Sequence, residues 1–231
     1  MRDARLTVSV IIPALNEQSR IGAVVRAAAA IGDEVIVSDG GSRDGTAELA
    51  RQAGALVIQA PRGRGPQLHA GALRASGDVL LFLHADAELA PTARGAIEAA
   101  LAAPELVGGN FFLRFAPSTW SAWLFTLANH HRRRWLRIYY GDSAIFLRRT
   151  AYDELGGFRS IPILEDYDFV RRLERLGRTA YVREVTVEVS TRRFERAPLR
   201  TLAVWTWIQL LYSAFDVSPE RLARYYADKR S

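Results

Sequence analysis

A chain of 231 residues is long enough for one α/β domain with a sizeable core, and 49% hydrophobic against 24% charged residues is an ordinary balance for a folded, soluble protein. The absence of cysteine excludes disulfides and thiolate metal sites. The net charge of +6 rests almost wholly on arginine, Lys229 being the only lysine; with no basic arm and no zinc-finger or helix-turn-helix signature, nucleic acid is not an expected partner, whereas arginine suits bidentate phosphate recognition.

The first half alternates strand-like and helix-like segments. Residues 7–12, 34–38, 55–59 and 78–84 read as strands, and 18–31, 45–53 and 65–76 as helices. The run Val79-Leu80-Leu81-Phe82-Leu83 is apolar without alternation, as in a strand covered on both faces by helices. This order predicts an α/β fold: right-handed βαβ units in a Rossmann-like, doubly wound, mostly parallel sheet flanked by helices. Further on, 107–115, 144–147 and 180–189 read as strands, and 119–135, 166–176, 199–215 and 219–228 as helices. No repeat or linker divides the chain, so one domain is expected. Residues 1–115 are expected to form one half of it and 116–231, with the C-terminal helices, the other. The N-terminus carries no signal-peptide pattern, and no apolar run reaches the ~20 residues of a membrane span. The expected location is cytoplasmic, or peripheral at the inner face of a membrane.

Ligands of an open parallel sheet gather at the carboxyl ends of its strands. Three polar clusters fall there: Pro13-Ala14-Leu15-Asn16-Glu17 after the first strand, Ser38-Asp39-Gly40-Gly41-Ser42-Arg43-Asp44-Gly45-Thr46 after the second, and His84-Ala85-Asp86-Ala87-Glu88 after the fourth. Alone, each has an ordinary explanation as a helix cap or tight turn. Together, at one sheet edge, they argue for one site.

These motifs resemble glycosyltransferase family 2 with the GT-A fold: residues 8–17, residues 37–46, an aspartate-based metal motif after strand four, and a later Glu-Asp pair. More narrowly, Tyr140-Gly141-Asp142-Ser143, Gly156-Gly157-Phe158 and Pro162-Ile163-Leu164-Glu165-Asp166 are similar to a compact bacterial subgroup, the radical-SAM or selenodomain-associated transferases. The resemblance implies an inverting, metal-dependent transfer of one sugar from a UDP- or GDP-linked donor, with residues 1–115 as the nucleotide-sugar-binding half and 116–231 as the acceptor-binding and catalytic-base half. The acceptor is open: a lipid phosphate, a metabolite or a glycan. Asp39, an acceptor-only carboxylate, would take the N3–H of a uracil-like base, with Pro13, Asn16, Glu17 and Gly40 around it. Arg62, Gly63 and Arg64 would cradle the diphosphate. Asp86 would hold Mg²⁺ or Mn²⁺ together with diphosphate oxygens. The family's first motif aspartate is His84 here, which leaves a single carboxylate in that motif; His84 would contact the nucleotide or, with Mn²⁺, serve as a further ligand, Ala85 would line the nucleotide, and Glu88 would support the metal from behind. Asp166 would be the catalytic base with Glu165 beside it. Tyr140, Gly141, Asp142, Arg192 and Arg193 would serve the acceptor or diphosphate side.

Two competing readings remain at this level. A sugar-phosphate nucleotidyltransferase would open with a glycine-rich loop, and residues 13–17 contain no glycine. A non-catalytic nucleotide-sugar or membrane-surface binding protein of the same fold is kept open by His84. The aromatic segments around Trp120 and Trp123, and around Trp205 and Trp207, are expected to pack against the sheet or form a homodimer contact, with a membrane-surface patch as the alternative.

Overall fold

A computed structural model describes residues 5–191, 197–215 and 217–230. Strands β1 (Val8–Ala14), β2 (Glu34–Asp39), β3 (Leu56–Gln59) and β4 (Val79–Phe82) are joined by helices α1 (Ile21–Ala29), α2 (Thr46–Gln52) and α3 (Arg64–Arg74). A short strand β5 (Ala87–Leu89), helix α4 (Ala93–Leu101) and the long β6 (Leu106–Ala116) follow. Helix α5 (Trp120–His131) leads through a π-helical turn, Arg132–Leu136, and a 3₁₀ turn, Gly141–Ser143, to β7 (Ile145–Arg148). The remainder is α6 (Arg149–Leu155), α7 (Glu165–Leu176), β8 (Arg178–Ser190), α8 (Pro198–Phe215) and α9 (Pro219–Arg230).

One eight-stranded sheet runs in the order β3-β2-β1-β4-β7-β6-β8-β5. The pairs among β1 to β4 are parallel, as is β6 with β8; β7 runs antiparallel between β4 and β6, and β5 antiparallel at the β8 edge. The mostly parallel, helix-flanked sheet is the expected one. Every residue of β1 and β4 is buried, as their apolar runs, interrupted in β1 by Ser9 alone, demand of strands covered on both sides.

The sequence pattern missed β5, α4 and α6. A three-residue strand is too short to display a period, and Pro91 and alanine runs blur the pattern that follows it. Helix α6 starts directly at the end of β7, with no linker to mark the change. The fourth strand also ends earlier than expected. Leu83 N–H still donates to Ile11 O (3.0 Å), but Ala87 N–H then donates to His84 O (3.1 Å), closing a tight turn with Ala85 and Asp86 at its tip. That turn takes the metal-motif residues off the sheet and puts them at its edge.

Apolar side chains cover both sheet faces. On the face under α3, α6 and α7, Phe158 stacks on Phe169 (centroids 4.1 Å apart, planes 18° apart) and meets Phe82 edge-on at 4.9 Å. Phe158 is placed by Gly156 and Gly157, whose φ of 68° and 74° end α6 in a left-handed turn. At Gly157 a Cβ would also lie 2.3 Å from the His69 ring, so no other residue fits without displacing α3. Phe169 is fully buried at the centre of this cluster. Phe169→Ala is expected to cost about 3–5 kcal/mol, read as a lower denaturant midpoint with unchanged slope.

Candidate functional site

The loops after β1, β2 and β4 meet the N-terminus of α3 around an open pocket of about 300 Å³, lined by Pro13, Ala14, Leu15, Glu17, Arg62, Gly63, Arg64, Gln67, His84, Ala85 and Asp86. Eight of these eleven residues were singled out in the sequence; Ala14, Leu15 and Gln67 were not. Gln67 carries part of the construction. Its Nε2 donates to Ala14 O (2.8 Å) and Ser38 O (2.9 Å), tying the ends of β1 and β2 together. A Cβ on Gly40 would fall 2.9 Å from that amide, which accounts for a glycine there. A buried polar residue on a helix face is the signal that marks Gln67.

Asp39, Asn16 and Gly40 do not line this pocket. Asp39 is buried, and its carboxylate accepts from the N–H (3.1 Å) and the hydroxyl of Ser42. Asn16, held at φ 56°, donates its N–H to Ser42 Oγ (2.9 Å) and accepts from Arg43 N–H through Oδ1 (2.9 Å). The β1 and β2 loops are thereby laced into one unit. Glu17 joins it through its N–H, which donates to Thr46 Oγ1 (2.7 Å).

The acidic side of the site comes from the second half of the chain. Leu164 sits at φ 62° and starts α7 with Glu165, Asp166 and Asp168 in the first turn, all three buried. Carboxylates suit a helix N-terminus, but these three have different partners. Asp168 accepts from Arg159, Arg172 and Tyr212 (3.1, 2.9 and 3.1 Å) and is a structural joint. Glu165 is ion-paired with Arg64 Nε at 2.5 Å. Asp166 is held by backbone donors, Gly141 N–H on Oδ2 (2.9 Å) and Tyr167 N–H on Oδ1 (2.8 Å). Gly141 is a glycine for a close approach: a Cβ would stand 2.8 Å from His84 Nε2 and 3.4 Å from Asp166 Oδ2. This places His84, from the β4 turn, and Asp166, from α7, on either side of one backbone segment.

Asp142 follows directly. Its Oδ1 is buried without a hydrogen-bond partner. Burial and the neighbouring charges of Asp166 and Asp86 push its carboxyl up to about 7, against the opposing pull of Arg64 and Arg132. Glu165 is raised too, by burial first and then by Asp166. Arg64 loses solvation on folding, yet the carboxylates of Glu165, Asp166 and Asp142 outweigh that loss and hold it protonated. Asp86, Asp142, Asp166, Glu165 and Arg64 therefore act on one another in one place, although they come from four separate segments.

A carboxyl raised from 3.8 to about 7 binds a proton more readily folded than unfolded. Its contribution to stability is therefore complete below about pH 4, falls as pH rises, and becomes a full penalty above about pH 7. Asp142→Asn is expected to raise the melting temperature by a few degrees at pH 8 and to change it little at pH 4.

Among the described residues, no group of three or more His, Asp or Glu side chains forms a ready-made metal cage. Glu88 stands on the exposed side of β5, opposite Glu188, and takes no part in the pocket, because alternation along β5 buries Ala87 and Leu89 instead. Tyr140 lies over the same segment, donating to Gln209 of α8 at 2.5 Å and accepting from Arg132 at 3.3 Å. Arg192 and Arg193 lie outside the described residues.

The sequence matches the family model "Glycosyl transferase family 2" over residues 9–161, ending just ahead of Glu165. An uncharacterized glycosyltransferase of Mycobacterium tuberculosis is 39% identical over 83 residues, which are 36% of this chain and 38% of that relative. The glucosyl-3-phosphoglycerate synthase of Mycolicibacterium smegmatis is 36% identical over 93 residues, 35% of this chain and 31% of the relative. The matches thus span well under half the length of these relatives. The crystal structure of glucosyl-3-phosphoglycerate synthase from Mycobacterium tuberculosis with Mn²⁺, uridine diphosphate and phosphoglyceric acid superposes with a TM-score of 0.63 at 21% identity, covering 89% of this chain and 78% of that one. Another structure of that enzyme, with Mg²⁺ and uridine diphosphate, gives 0.56 at 20% identity over 80% and 70%. At such identity the likeness speaks for the fold, the GT-A arrangement, and the family model speaks for descent: this chain belongs to glycosyl transferase family 2.

Proposed function

We propose that this protein transfers one sugar from a uridine or guanosine diphosphate sugar to an acceptor hydroxyl or phosphate, with inversion at the anomeric carbon. The observation that carries this reading is the meeting of Asp86, Asp142, Asp166, Glu165 and Arg64 beside a pocket walled by the β1 and β4 loops. In the narrower classification, the Tyr140-Gly141-Asp142 and Glu165-Asp166 motifs support membership of the radical-SAM or selenodomain-associated subgroup, since Gly141 and Asp166 are direct partners.

The diphosphate of the donor suits the N-terminus of α3, where Arg62 and Arg64 flank Gly63 and helix N–H groups favour anions. Asp86 is the carboxylate for a divalent cation. The donor set fits a hard ion shared between protein and diphosphate: no all-protein cage exists among the described residues, while the orphaned Oδ1 of Asp142 and its raised pKa mark excess negative charge next to Asp86. When bound, Mg²⁺ or Mn²⁺ supplies compensation for the charge of the leaving diphosphate.

The chain's own groups do the rest. Asp166, its two oxygens oriented by Gly141 and Tyr167 N–H, keeps lone pairs for the proton of the acceptor. As that oxygen bonds to the anomeric carbon, its proton passes to Asp166. The bond from that carbon to the diphosphate breaks, and the electron pair leaves with the nucleoside diphosphate. Asp142 adds to the same field, raising the local negative charge beside Asp86 and Asp166. The test is a panel of nucleotide-sugars with Mn²⁺, read by thermal shift and by nucleotide release. One donor is expected to stabilise the protein only with the metal and to yield its diphosphate. Failure of every nucleotide diphosphate to bind with either metal removes the transferase reading.

A further inference from the structure

Helix α8 has two faces with opposite tasks. Its inner face is committed to the fold: Trp205 meets Phe125 of α5 edge-on at 5.8 Å, Ile208 is buried, and Gln209, Tyr212 and Ser213 hydrogen-bond Tyr140, Asp168 and Tyr167. Its outer face carries Leu199, Trp207, Leu210 and Phe215, all exposed. Adjoining it, α5 presents Trp120 and Trp123, 64% and 65% exposed, and the π-helical turn at its end presents Trp135 and Leu136. The packing expected of these helices holds for one side of each. The other side leaves tryptophan, leucine and phenylalanine side chains in solvent on α5 and α8, two helices that touch through Phe125 and Trp205.

The segments that carry these side chains are free of acidic residues, although Arg137 pairs with Glu174 of α7 at 3.8 Å. Residues 115–141 and 197–215 contain no aspartate or glutamate, and residues 118–129 and 201–215 contain no charged residue at all. Arg134 and Arg137 are exposed beside Trp135, with the Arg134 guanidinium 5.4 Å from its ring, and Arg200 stands at the start of α8. No described helix is long and apolar enough to cross a membrane. Tryptophan at the centre with arginine at the rim is the chemistry of a bilayer interface, where indoles enter the headgroup layer and guanidinium groups meet lipid phosphate. Two-fold pairing of two copies through this face would instead set one arginine-bearing rim against the other, with no acidic residue in 115–141 or 197–215 to complement it.

We propose that the outer faces of α5 and α8, with the Arg134–Arg137 turn, dock the protein on an anionic lipid bilayer. Because α8 also holds Tyr140, Tyr167 and Asp168, the docked face lies next to the residues that position Asp142 and Asp166. This deepens the transferase reading by naming the acceptor class as a lipid-borne phosphate or hydroxyl, and that extension rests on the transferase reading; the docking itself does not.

Flotation of the full chain with phosphatidylcholine vesicles, with and without phosphatidylglycerol, tests it. The protein is expected to float only with the anionic vesicles and less as salt rises. Trp123→Ala/Trp207→Ala and Arg134→Glu are each expected to weaken binding roughly tenfold. Both variants should keep the wild-type melting temperature and wild-type binding of uridine diphosphate with Mn²⁺. A protein that stays at the bottom with anionic vesicles, or a folded double variant that floats as well as wild type, overturns the docking. A wild-type dimer in light scattering that the same substitutions dissociate assigns the face to a second copy and overturns it equally. Flotation without any nucleotide binding would leave the docking standing and remove the transferase reading alone.

Discussion

Asp166→Asn is expected to lower the turnover of sugar transfer by roughly 10²–10⁴-fold while leaving the affinity for the nucleotide diphosphate and metal within about threefold of wild type. The reason is the difference among the three acids of the first turn of α7. Asp166 is fixed only through backbone N–H groups, so its carboxylate is oriented without being neutralised by a cation in direct contact. The neighbouring Asp168 is spent on Arg159, Arg172 and Tyr212. Asp168→Asn is therefore the control: it should lower the melting temperature and leave the folded fraction active, because it removes acceptance from two arginines rather than a base. An amide at 166 also presents N–H hydrogens to one of two backbone donors, so a small stability loss accompanies the catalytic one. Steady-state kinetics with calorimetric titration separate the two effects. Wild-type turnover in a folded Asp166→Asn protein would move the base elsewhere.

The second large effect is expected at Asp86. Asp86→Ala should weaken binding of uridine or guanosine diphosphate by roughly 100-fold in the presence of Mn²⁺ and hardly at all in its absence. The metal motif here offers one carboxylate, since His84 occupies the other position, and no three-ligand cage stands in reserve among the described residues. On the proposed reading a cation would depend on Asp86 and the diphosphate together, so that loss of either partner would lose both. Calorimetry at fixed Mn²⁺, repeated with chelator, reads the difference. Equal losses with and without metal would mean that Asp86 contacts the nucleotide itself.

Much of the site was legible from local pattern. Pro13, Glu17, Arg62, Gly63, Arg64, His84, Ala85 and Asp86 follow strand ends, and strand ends at one edge of a parallel sheet must be neighbours, so the loops that line the pocket could be found without coordinates. Asp39 and Asn16 were found as site residues by the same logic. In the fold they tie the β1 and β2 loops together through Ser42 and Arg43, outside the pocket lining. Gln67 escaped notice because a lone glutamine on a helix has no period and no motif, and its role exists only once β1 and β2 converge on it. The aromatic helices were ambiguous for a different reason. Trp205 and Trp207 are two residues apart, on opposite sides of a helix, and hydropathy alone does not say which side has a sheet to cover.

What the sequence determined by itself was the alternation of β1 to β4 with α1 to α3, because buried parallel strands need largely apolar runs, and with that alternation the edge of the sheet where the loops gather. The tertiary structure alone decided which acids share a field. Asp86, Asp142 and Asp166 are 56 and 24 positions apart. They meet because β7 runs antiparallel between β4 and β6 and delivers the Gly141 turn between His84 and the start of α7. Electrostatic coupling depends on distance through space and on burial, and neither quantity is written in the spacing of residues along a chain.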